Sequence, residues 1–107
     1  MRFRAKALQK TPTDCTVQAG DLRCLPLVKR VLSELNDPYT GAVRLADLVE
    51  RIPVLAARCR RAARQRRPMA ELDNMERTLM IIGNKGLERA LFELLEDLTV
   101  LKSELES

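Results

Sequence analysis

Apolar residues recur along the chain at helical spacing, and breaker residues divide them into five runs. Val28, Val31, Leu32 and Leu35 follow i, i+3, i+4, i+7, the stripe of one buried helical face. This first helix begins near Pro26, because proline suits the first turn. Asn36, Asp37, Pro38 and Gly41 close it as a turn. A short second helix covers residues 44–50, with Leu45, Leu48 and Val49 on one face. Pro53 ends it and opens a third helix over Pro53–Arg66, which Pro68 stops. Leu72, Met75, Leu79 and Ile82 predict a fourth helix over 72–82. The stretch Gly83–Gly86 reads as a stop and restart. Leu87, Leu91, Leu94, Leu98, Leu101 and Leu105 then alternate spacings of four and three, predicting a long fifth helix over 87–105. The expected fold is all-α: a compact bundle of about five helices with a long C-terminal helix.

The first twenty residues have no sustained period and carry Thr, Pro, Asp and Gly, so 1–20 is expected to be a flexible basic N-terminal tail. Residues 21–107 are the expected helical domain. Phe3, Tyr39 and Phe92 are the aromatic residues of the 107-residue chain. The core must therefore come from Leu, Val, Ile, Ala and Met, which favours helix packing over a β-sandwich.

Composition narrows the chemistry. The chain has no histidine, so the commonest general base and metal ligand is missing. Cys15, Cys24 and Cys59 are an odd set without a C-x-x-C pair, read as reduced thiols with Cys59 in the core. No catalytic constellation, metal site or cofactor site is expected, and the protein is not expected to be an enzyme. The glycines and lysine of 83–86 lack the spacing of a phosphate-binding loop and follow a helix rather than a strand. No run reaches the ~18 apolar residues of a membrane span, and the N-terminus has no signal-peptide core; a cytoplasmic location is expected.

The net charge of +4 is unevenly placed. Residues 1–70 carry 15 Lys/Arg against 6 Asp/Glu, and residues 71–107 carry 4 against 9. Six arginines fall within 57–68, which raises the question of nucleic acid. On a wheel of about 100° per residue, Leu55, Cys59, Ala62 and Ala63 share one face of the third helix. Arg58, Arg60, Arg61, Arg64 and Arg67 spread over the other; Arg66 alone overlies the apolar side. A recognition helix reads bases with its N-terminal residues, and here those are Val54, Leu55, Ala56 and Ala57. The arginine face is read first as a solvated or protein-facing surface. Contact with nucleic-acid phosphate is the secondary reading.

The second, third and fourth helices, taken in order, resemble the N-terminal helical half of the HDOD family of bacterial signalling domains. The matching features are Asp37–Pro38, Leu45, Leu48, Pro53, Leu55, Ala57, Arg58, Arg61, Ala63 and Gly83, spread over about residues 25–95. Arg64, Gln65 and Arg66 stand where the family has Asn-Ser-Ala, and a full domain of the family is about twice as long. The resemblance implies non-catalytic signal output through protein contacts. The candidate partner-binding residues are Arg60, Arg61, Arg64 and Arg67 on the third helix and Leu98, Leu101 and Leu105 on the fifth. A protein partner or a second copy would dock on the C-terminal helix; no membrane contact is expected.

Overall fold

The computed structural model describes residues 16–106. Most of the expected tail, Cys15 and Ser107 lie outside them. Among the described residues the chain is helical and contains no strand. A 3₁₀ turn, Ala19–Cys24, leads into α1 (Leu25–Leu35), α2 (Ala42–Glu50), α3 (Pro53–Arg66) and α4 (Met75–Glu106). There are thus four α-helices rather than about five, because the expected fourth and fifth are one bent element.

The helix boundaries follow from local chemistry. Pro26 sits in the first turn of α1 and Pro53 opens α3, positions whose N–H groups need no helical partner. At the end of α1 the Asn36 side chain donates to the Leu32 carbonyl at 3.0 Å. The Tyr39 N–H donates to Asp37 Oδ1 at 2.9 Å, an Asx turn that reverses the chain into α2. Asn74 caps α4: its Oδ1 accepts from the Glu76 N–H at 2.8 Å. The expected start at Leu72 is therefore early by nearly a turn, and Leu72 is buried from the preceding loop. Gln18 and Asp21 fasten the 3₁₀ turn, the Gln18 N–H donating to Asp21 Oδ2 at 2.8 Å. Val17 packs half-buried against the core, so the folded part begins before residue 21.

α4 packs against each of the other helices and the 3₁₀ turn, and most extensively against α3. Its Leu87, Leu91, Leu94 and Leu98 are buried to 1% exposure or less. They meet Val28 and Val31 of α1, Leu48 and Val49 of α2, and Leu55, Cys59 and Ala63 of α3 in one core. The leucine seam is therefore core as far as Leu98. Burial of each such leucine stabilises the fold by roughly 1.5–3 kcal/mol.

The bend in α4 lies at Gly83, with φ 74 and ψ 174. That region of conformational space is essentially closed to residues with a Cβ. Helical hydrogen bonding resumes at once, so Asn84, Lys85 and Gly86 belong to the helix and not to a loop. The bend brings Ile82 over Gly86: a Cβ on Gly86 would stand 2.7 Å from the Ile82 Cβ.

α1 and α2 are clamped at the surface by Glu34. It accepts from Arg44 Nε and Nη2, each at 3.0 Å, and from Arg30 Nε at 3.1 Å. The hydrogen bonds from Arg44 first, then from Arg30, lower the Glu34 carboxyl from 4.5 to about 2.

Two outcomes follow. Gly83→Ala lowers unfolding free energy by about 1–3 kcal/mol in urea titration, while Asn84→Ala, one residue on, changes it by under about 0.5 kcal/mol. The Glu34 carboxylate binds its proton less readily folded than unfolded, so its contribution is full above about pH 4.5 and fades towards about pH 2. Glu34→Gln should lower the melting temperature at pH 7 and flatten its fall across that acid window, followed by circular dichroism.

Candidate functional site

α3 and α4 run antiparallel. Arg58 pairs with Asp97 near one end of the contact, and Arg66 meets Ile81 and Ile82 near the other. The buried face of α3 is built from Val54, Leu55, Ala56, Cys59 and Ala63. Small residues there let the two helices approach closely. Beside the contact line Ala62 faces Gly86 and Ala90 across an open groove of about 1120 Å³. Side chains that short leave a trough where longer ones would interdigitate. The groove follows α4 from Gly86 to Glu104, about 27 Å at 1.5 Å per residue.

The apolar part of the lining comes from Val17, Ala62, Ile82, Ala90, Val100 and Leu101. Val100 is 52% exposed, a large apolar side chain left open to solvent on the groove wall. The rim is charged: Arg58 and Arg61 come from α3, and Arg89, Glu93, Glu96, Asp97 and Glu104 from α4. Arg58 Nη2 lies 2.7 Å from Asp97 Oδ2, with only 14% of the Arg58 side chain exposed. That charge-assisted bond joins the two walls.

The six arginines of α3 and its end thus divide. Arg58 holds Asp97. Arg60 donates from Nε to the Leu72 carbonyl at 3.2 Å and from Nη2 to Glu50 at 3.0 Å, tying the loop before α4 to α2. Arg66 Nη1 donates to the Ile81 and Ile82 carbonyls at 3.2 and 3.1 Å. Those carbonyls stand just before the non-helical backbone of Gly83, where a guanidinium faces the negative end of a helix segment. Arg66 was the one arginine that the helical wheel set over the apolar side, and its place is explained by this cap. Arg64 reaches the Pro68 carbonyl at 3.4 Å. Arg61 and Arg67 are exposed.

Of the expected partner-binding residues, Arg61 and Leu101 line the groove. Arg60 is engaged inside the fold, Arg64 turns to its own loop, and Arg67 lies off the groove. Leu98 is fully buried and is corrected from a surface seam residue to a core residue, because the bundle reaches one turn farther along α4 than the short helices implied. Leu105 is 57% exposed beyond it. Glu93, Glu96 and Asp97, read from the sequence as a plain solvated face, form the acidic rim of the groove.

Cys59 is buried and Cys24 half-buried, and neither is in a disulfide. Burial, then the Asp21 charge, pushes the Cys24 thiol up, which keeps it protonated and poorly nucleophilic. Among the described residues no group of three His, Cys, Asp or Glu side chains is placed to hold a metal ion. No helix among them is long and apolar enough to cross a membrane. No family model, curated protein or solved structure matches the chain.

The cap gives a direct test. Arg66→Ala should lower unfolding free energy by about 1 kcal/mol, since it removes the donor to two carbonyls beside the bend. Arg67→Ala, one position on, should change it by less than about 0.5 kcal/mol. Equal losses in urea titration would remove the capping role.

Proposed function

We propose that this protein is a non-enzymatic interaction module that holds a segment of a partner protein in the α3–α4 groove. The observation that carries this reading is an open groove about 27 Å long, lined by polar and apolar surface in similar share, open to solvent at Val100 and carrying charges of both signs. An amphipathic helix or extended peptide suits such a trough: its apolar side chains would cover the floor and its polar ones would meet the rim.

The order of elements supports a relation to HDOD-type signalling modules: α1, the Asp37–Pro38 turn, α2 and a proline-led α3. Regulation or signal output by protein contact, in the cytoplasm, is the role that goes with that proposal. Docking of a second copy on the leucine seam is less well supported than docking in the groove, because Leu98 is already core. The nucleic-acid alternative must work with what the fold leaves over. Arg58, Arg60 and Arg66 are engaged internally. Three phosphate contacts by the others would give a log–log salt slope of only about −2.7.

Short peptides selected from a random library on the intact protein should shift the amide resonances of Arg61, Ala90, Val100 and Leu101. Ala62→Arg, which fills the trough from α3, should abolish their binding while leaving the thermal melt in place. Shifts confined to other faces would overturn the groove as the site. Duplex DNA bound in its place with the salt slope above would establish the alternative.

A further inference from the structure

We infer that the chain's own N-terminal segment, residues 1–15, is an internal ligand of the α3–α4 groove and competes there with the partner. The inference rests on the reading of that groove as the partner site. Three observations lead to it.

The first is where the described chain begins. Thr16 and Val17 are themselves part of the groove lining. The preceding residue is thus delivered at the groove and not at a distant face. Fifteen residues reach at most about 50 Å when extended, well beyond the ~27 Å of groove. The second is charge. The segment carries Arg2, Arg4, Lys6 and Lys10 against Asp14 alone. Across the groove, α4 presents Glu93 and Glu96 along its rim, after Arg89. Arg58 pairs with Asp97 and Arg66 is held on backbone carbonyls; Arg61 stands on the α3 wall and Arg89 one turn before Glu93, so a basic segment would meet carboxylates along α4 from Glu93 onward. The third is apolar content. Phe3, Ala5, Ala7 and Leu8 are interleaved with the cations. Such a sequence can set apolar groups on Ala90, Val100 and Leu101 while its lysines and arginines meet the carboxylates.

Tethering makes weak contacts sufficient. A segment joined directly to the groove has an effective concentration on the order of 1 mM. With an intrinsic dissociation constant of ~0.1 mM it would weaken an outside competitor about tenfold. The segment then sets a threshold: a partner must outcompete it, and any change that lowers its positive charge opens the groove.

The experiment uses the full chain and a full-length variant carrying Arg2→Glu, Arg4→Glu, Lys6→Glu and Lys10→Glu. The probes are a synthetic peptide of residues 1–15 and the library-selected peptides. The synthetic peptide should bind the variant, shift the amides of Ala90 and Val100, and bind the unaltered chain about tenfold more weakly. The selected peptides should show the same tenfold difference. Equal affinities of the selected peptides for both chains would overturn the internal ligand and leave the groove reading standing. Failure of those peptides on both chains would overturn the two together. A concentration-dependent dimer of the unaltered chain, lost in the variant, would place the segment in a neighbour's groove and overturn competition within one chain.

Discussion

The leucine seam of α4 is the constraint on which the rest of the molecule depends. α1, α2 and α3 are short, and each has one apolar stripe that it cannot bury alone. Leu87, Leu91, Leu94 and Leu98 give all three a common surface. That seam runs straight only because the chain turns at Gly83, which sets Met75, Leu79 and Ile82 of the first part of α4 into the same core. A rigid continuation without the bend would carry one half of the helix off the core. The energy of the seam, several leucines at roughly 1.5–3 kcal/mol each, exceeds the cost of about 1–3 kcal/mol for an unusual backbone angle. The angle is assigned to glycine, where that cost largely vanishes.

The arginine run gains its meaning from the same geometry. Charge density alone would place six cations on a surface and suggest a polyanion. Packing places three of them in structural work: one across to α4, one on the loop before α4, one on the carbonyls beside the bend. Guanidinium suits each of these jobs because it donates in several directions at once and keeps its charge when half-buried. The acidic C-terminal part of the chain is the complement of the basic middle, and part of the charge asymmetry is resolved within the fold.

Much of the architecture was legible in the sequence. The i, i+3, i+4 spacings fixed the faces of α1, α2 and α3, and Pro26, Pro53 and the Asn36–Gly41 turn marked their ends. The burial of Cys59 and Ala63 beneath the arginines followed from the wheel. The helix count did not follow, because two glycines flanking Asn84 and Lys85 look the same whether they make a loop or a one-residue bend. Choosing between them needs knowledge of what stabilises the bend, and that is Arg66, fifteen residues away in sequence from Ile81. The groove was hidden for a related reason. It is a property of small side chains on two helices, Ala62 on one and Gly86 and Ala90 on the other, and a single helix shows no trough. The one signal in the sequence was Arg66 on the wrong side of its wheel, a local misfit that pointed to a specific contact. The extent of core along α4 was also out of reach, since it depends on how α1 and α3 are tilted and not on their lengths.

The groove and the core draw on opposite uses of one sequence device. On the inner side of α3, small residues bring helices close and exclude water. One step round the same helix, Ala62 meets Gly86 and Ala90 with nothing between them, and the close approach becomes an open channel. A larger residue at Ala62 would fill the channel at little cost to the core, because Ala62 is not among the deeply buried side chains. Stability alone therefore does not require the trough; closing it with a longer apolar side chain would add buried surface. A channel of mixed lining that packing does not require, with charges on both walls, is the feature on which the proposed docking of a partner segment rests.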